Sequence, residues 1–205
     1  MSRRHNIIAA IAAVSAIVAA VAIWYVVGNV DNECIPRRRA FMRIEPYAAD
    51  YSAYDSLPLQ LQVNSSAKVL EADDASTPEG SHWINISYPR FGSTVYCTYV
   101  DVTPASLDRH LRNRYERIEK NVRGTMRNVL FADSITGISS DVFFAAEGNV
   151  VPLQFISTDS ATFVFSGAVF IPTAANADSV APIVDNISDD VMYMLQNLKP
   201  KAKQR

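Results

Sequence analysis

The chain has 205 residues, 49% hydrophobic and 20% charged, with a formal net charge of −2 at pH 7. That balance carries no bias toward nucleic acid, and the length leaves room for one domain with a sizeable core. Its two cysteines, Cys34 and Cys97, belong to no CxxC or metal-spaced set; in an oxidising compartment they could pair, and two free thiols is the equal alternative.

The run Ile7 to Val27 holds no charged residue and a single aliphatic hydroxyl, Ser15. As a helix it would be about 30 Å long, the thickness of a bilayer core, with Trp24 and Tyr25 near its far end where aromatic rings favour the membrane interface. The sequence therefore predicts a membrane anchor over 1–28. A cleaved signal peptide ending near Ala20-Val21-Ala22 is the alternative, although its apolar region would be unusually long. Arg3 and Arg4 favour an N-terminus held inside. Arg37, Arg38 and Arg39 argue the other way, but a large domain crosses largely regardless of its own charges. The expectation is a single-pass inner-membrane protein with its domain in the periplasm.

Residues 29–40 read as a linker, 41–199 as the domain and 200–205 as a basic tail. Phe41 to Ile44 reads as a short first strand, and Leu59-Gln60-Leu61-Gln62-Val63 alternates as a half-buried strand does. Glu71 to Ser81 is rich in turn residues. Trp83 to Tyr88 and Ser93 to Val102, joined by Pro89-Arg90-Phe91-Gly92, read as a hairpin; Asp141 to Ala146, Val150 to Ser157 and Thr162 to Ile171 read as a meander. Thr103 and Pro104 open a helix whose stripe is Leu107, Leu111, Ile118 and Val122, with Gly124 as its stop. A second helix starts near Asp178 and repeats Val180, Ile183, Val184, Ile187, Val191, Met194, Leu195 and Leu198. The fold class predicted is α+β: an antiparallel sheet of about six strands with two helices on one face, preceded by the transmembrane helix. Leu111, Ile118, Ile183, Ile187, Val191 and Leu195 are expected to pack on Ile84, Ile86, Val95 and Phe155.

Catalytic chemistry is poorly represented. His5, His82 and His110 form no HExxH, there is no GxSxG elbow or P-loop, and seven glycines leave little room for a phosphate-cradling loop. Asp73-Asp74 and Asp189-Asp190 read as solvated surface charge, since neighbours on a helix diverge by about 100°. The first domain helix is basic: Arg109, Arg112, Arg114, Arg117, Lys120, Arg123 and Arg127 face only Asp108, Glu116 and Glu119. It reads as a solvated face laced by Asp108–Arg112, Glu116–Lys120 and Glu119–Arg123 pairs, with docking of an anionic lipid, peptidoglycan or acidic partner as the alternative. No catalytic residue, cofactor or metal ligand is assigned. Four Asp-Ser-apolar triplets place Ser56, Ser134, Ser160 and Ser179 in a form that resembles the O-glycosylation site of exported Bacteroidota proteins, although Asp-Ser also starts turns and helices for local reasons.

Several blocks resemble one family together. Arg39-Ala40-Phe41-Met42-Arg43-Ile44 with Pro46-Tyr47, Trp83-Ile84-Asn85-Ile86 with Tyr88-Pro89-Arg90-Phe91, Leu153-Gln154-Phe155 with Thr158-Asp159-Ser160, Gly167-Ala168-Val169-Phe170, and Asp178 to Ile183 running on to Asp189-Asp190 are collinear and similar to the gliding-motility lipoprotein D family, GldD, of Bacteroidota. The resemblance implies an envelope protein associated with gliding and type IX secretion components, and it brings no catalytic residues. A lipoprotein needs small apolar residues before its lipidated cysteine, and Cys34 follows Asp31-Asn32-Glu33, so lipidation of Cys34 is disfavoured and a lipoprotein at the outer membrane is the alternative placement. The functional expectation is a non-enzymatic accessory protein that binds the membrane and other envelope proteins, with no nucleic acid and no small-molecule substrate. The competing expectation is a ligand-binding or hydrolytic envelope domain, marked by a deep pocket between sheet and helices that holds carboxylates or His82.

Overall fold

The computed structural model describes residues 14–25, 44–146, 149–172 and 177–201. Contacts divide the chain into Met1–Phe41 and Met42–Arg205. In the first unit the description covers a helix over residues 14–25, α1. This corrects the expected anchor. Among the described residues no helix is long and apolar enough to cross a membrane. Residues 7–13, 26 and 27 of the expected span, the linker, Cys34, the strand residues 41–43 and the tail from 202 onward lie outside the described residues.

Among its described residues the second unit contains ten strands in two sheets, not the single sheet of about six strands expected. β1 (Tyr51–Tyr54), β2 (Leu59–Asn64) and β10 (Lys199–Pro200) form a three-stranded sheet with β2 in the centre. β3 (Lys68–Glu71), β4 (Ser81–Tyr88), β5 (Ser93–Asp101), β6 (Met126–Ala132), β7 (Ser139–Ala145), β8 (Leu153–Thr158) and β9 (Phe163–Phe170) form a seven-stranded sheet in the order β3-β4-β5-β9-β8-β7-β6. Every pairing is antiparallel. The hairpin and the meander stand where alternation placed them. The turn between β4 and β5 is a short 3-10 helix, Pro89–Phe91, closed by Gly92 at φ 60°, a left-handed conformation that glycine adopts without steric cost.

The helices α2 (Pro104–Asn121) and α3 (Ala177–Gln196) lie on opposite faces of the large sheet, not on one. Side chains alternate across a strand, and the alternation sorts them into two cores. Phe163, Phe165 and Val169 of β9 join Ile84, Ile86, Val95, Phe155 and the α3 residues Ile183, Ile187, Val191 and Leu195, together with Leu59 and Leu61 of β2. Val164 between them belongs to a second, smaller core with Ile156, Phe143 and the α2 residues Leu107 and Ile118. α3 and the small sheet therefore share the larger core, as expected for α3. The expected place of Leu111 and Ile118 in that core is wrong: Ile118 is buried on the other face, and Leu111 is only partly buried.

Two local features hold this arrangement. The Thr103 backbone N–H donates to Ser106 Oγ at 3.0 Å, and Pro104 opens α2 at a position where its missing N–H costs nothing. Gly167 of β9 lies opposite Phe155 of β8. A β-carbon at 167 would sit 2.6 Å from two atoms of the Phe155 ring and 3.0 Å from the Tyr96 carbonyl oxygen, so the ring occupies the room that only glycine leaves.

Candidate functional site

A cleft runs between α2 and the face of the large sheet beneath it. Because α2 is basic and its stripe is narrow, only Leu107 and Ile118 reach the sheet as buried residues. The rest of the interface is polar and open. A recess of about 160 Å³ is lined by Arg114, Arg117, Ile118, Asn121, Gln154 and Tyr96 among others. An adjoining chamber of about 360 Å³ shares Thr98, Arg114 and Arg117 with it and adds Ser81, Trp83, His110 and Asn113. Neither is lined by a carboxylate among the described residues.

The electrostatics of this cleft are unbalanced. Ion pairs among the described residues are His82–Asp73, Arg90–Glu45 and Lys201–Asp55. The three i,i+4 pairs expected along α2 are not formed, so the helix is not a salt-bridged solvated face. Burial lowers the Arg114 pKa, and the neighbouring Arg117 lowers it further. Burial, with Arg109 and Arg114, likewise holds His110 below its ordinary value. Gln154 is 3% exposed. Its Oε1 accepts from Asn121 Nδ2 at 3.1 Å, while its Nε2 has no partner.

The second feature is the sheet edge at β6. The outer backbone groups of an edge strand are unpaired. Met126 and Leu130 lie on the α2 side of β6 and are exposed, Leu130 by 68%. Ile135, at the tip of the turn that follows, is 94% exposed. Arg127, the only charge on the strand, is exposed and lies over the Phe144 ring with its guanidinium carbon 4.5 Å from the centroid.

A buried polar cluster lies on the other face. Asp190 of α3, expected in solvent, is 4% exposed. Tyr51 Oη donates to its Oδ1 at 2.9 Å and Asn64 Nδ2 at 3.3 Å, and the buried Tyr88 phenol also faces this carboxylate. Oδ2 has no hydrogen bond at normal length. Burial raises the Asp190 pKa, Asp189 adds to the rise, and the donors from Tyr51, Asn64 and Tyr88 oppose it. With one carboxylate, two phenols and an amide packed between sheet and helix, this cluster ties elements together and offers no open reaction space.

The remaining sequence candidates are dispersed. Ser56, Ser134 and Ser160 are exposed, and two of the triplet aspartates, Asp133 and Asp159, have turn roles. Asp133 Oδ1 accepts from the Ile135 N–H at 2.9 Å, and Asp159 Oδ1 from the Ala161 and Thr162 N–H groups at 3.0 and 2.8 Å. Ser160 holds φ at 61°. The Ser179 side chain lies outside what is described. Asp73 is not free surface charge either: its Oδ2 is 3.0 Å from His82 Nδ1, on the surface and outside the cleft. Cys97 is a free thiol buried in the larger core, and burial pushes its pKa up.

The fold and surfaces define an α+β domain with a cationic cleft on one face and an open sheet edge beside it. The chain belongs to the gliding motility lipoprotein GldD family, whose model matches residues 31–199. That membership makes it a gliding-motility-associated envelope protein. No curated protein matches the chain.

Proposed function

We propose that this protein is a non-enzymatic accessory component of the gliding-motility and type IX secretion type, acting by binding other envelope proteins from the periplasmic side. The observation that carries the reading is the β6 edge. It is seven residues long, carries a single charge, Arg127, which lies over the Phe144 ring, exposes Leu130 within the strand and is followed by the exposed Ile135. Natural sheets blunt such edges with short strands, charges or bulges unless another chain pairs with them. The opposite edge, β3, follows that rule with four residues and the charged Lys68 and Glu71. A partner strand added to β6 would gain backbone hydrogen bonds and bury Leu130, as in recognition by strand addition. The lining of the α2 cleft, with arginines and no carboxylate beside its histidine, supports binding over hydrolysis.

The test is co-isolation of envelope proteins with the full chain carrying Leu130→Lys and Ile135→Glu. The proposal expects a specific partner to be lost while the melting temperature stays within a degree or two of wild type. Unchanged co-isolation would count against β6 as the docking edge.

A further inference from the structure

We propose that the cleft between α2 and the large sheet binds a small organic oxyanion, its carboxylate or phosphate group seated between Arg114 and Arg117 and its carbon body resting toward Trp83. This goes beyond the protein-binding reading and stands without it.

Three independent observations meet in one place. Arg114 and Arg117 both line the recess and the adjoining chamber, and neither forms an ion pair or hydrogen bond with any described residue. Two neighbouring guanidiniums repel, and one that is partly buried loses hydration without compensation. An oxyanion between them would answer both costs, since the planar fork of arginine matches a carboxylate or a phosphate through paired N–H donors. The second observation is Gln154. Its Oε1 is occupied by Asn121, which leaves Nε2 as an unpaired donor within a residue that is 97% buried and lines the same recess. Buried donors are nearly always satisfied, so this one is explained by an acceptor that enters the recess. The third is shape. The recess of about 160 Å³ suits a charged head, and the adjoining chamber of about 360 Å³ is walled by Trp83, Val100 and Pro78 along with polar groups. Small-molecule sites combine such an apolar wall with a few placed polar groups. An acidic peptide would use exposed arginines on the outer face of α2 and would leave the recess and Gln154 unexplained.

Trp24 and Trp83 are the only tryptophans, so the full chain carrying Trp24→Phe makes Trp83 the sole indole reporter. Its fluorescence is titrated with citrate, with inorganic phosphate and with a hexaglutamate peptide. The proposal expects a saturable change with citrate or phosphate, the tighter of the two identifying the preferred head group. Arg114→Gln with Arg117→Gln should weaken that binding at least tenfold, and Arg112→Gln, on the exposed part of α2, should leave it unchanged. Gln154→Leu, which keeps the volume and removes the donor, should weaken it severalfold and serves if the double variant does not fold. Failure of both small anions to saturate, binding that survives the loss of the two arginines, or saturation by hexaglutamate alone would overturn it.

Discussion

Tyr51 on β1 donates its phenolic O–H to Asp190 on α3 across 139 positions of sequence, at 2.9 Å. The two rings Tyr51 and Tyr193 stack beside this bond with centroids 3.8 Å apart. The small sheet is thereby fastened to the helix that covers the larger core, and the Tyr51 pKa is pushed up to about 12 by burial and by the carboxylate it faces.

That fastening predicts a pH dependence. Burial raises the Asp190 pKa in the folded protein, so the folded state holds this proton more tightly than the unfolded state does. The contribution is fully present below the ordinary carboxylate pKa and is lost as pH rises through the raised value. Asp190→Asn keeps an acceptor for Tyr51 and Asn64 and removes the titration. Its melting temperature should gain on wild type as pH rises from the ordinary carboxylate range toward neutrality, and the two curves should converge at acid pH. Asp190→Ala leaves the buried Asn64 amide short of an acceptor and should cost about 1–3 kcal/mol. Thermal melts across pH for the three proteins check both outcomes.

Gly167 should tolerate no side chain while Phe155 stays. Gly167→Ala forces a methyl into the Phe155 ring, an overpacking that typically costs about 1–3 kcal/mol. Phe155→Leu opens a cavity of its own, but the double variant should lose less than the sum of the two single changes. Urea unfolding of all four proteins measures that coupling.

The two helices should respond unequally to truncation. Ile187 has no solvent exposure, so Ile187→Ala should cost about 2–5 kcal/mol. Leu111 is only partly buried at the rim of the smaller core and its truncation should cost less than about 2 kcal/mol. Denaturant midpoints with unchanged slopes would support this ordering, and equal costs would show that both helices face one core.

Much of the second unit is legible in the sequence because its signals are local. Period-two alternation in Leu59 to Val63 and Trp83 to Tyr88, and the three- and four-residue spacing from Ile183 to Leu195, match β2, β4 and α3. What escapes is non-local. β1 is four residues long, β10 is two, and β6 carries no alternation strong enough to stand alone; each is a strand because a neighbour pairs with it. Which face a helix takes also escapes, since Leu107 and Ile118 of α2 would fit either side of a sheet whose strands are apolar on both. Asp190 carried a signal that went unused. It lies seven residues after Ile183 and three after Ile187, on the buried stripe of α3, so it turns inward while Asp189 does not. The cleft carried a weaker signal, an arginine pair at 114 and 117 on the same side as Ile118, and no sequence pattern shows that the acidic neighbours leave both unpaired.

Photo-crosslinking from position 130 in native envelopes tests the central claim, action through a protein partner at the β6 edge, most directly. A benzophenone amino acid at position 130, and another at 135, should each yield a discrete adduct with the same envelope protein. The same probe at position 70, on the short and charged β3 edge, should yield none. Adducts lost on Ile135→Glu would support the account further. No adduct from 130 or 135, or the same adduct from 70, would contradict it.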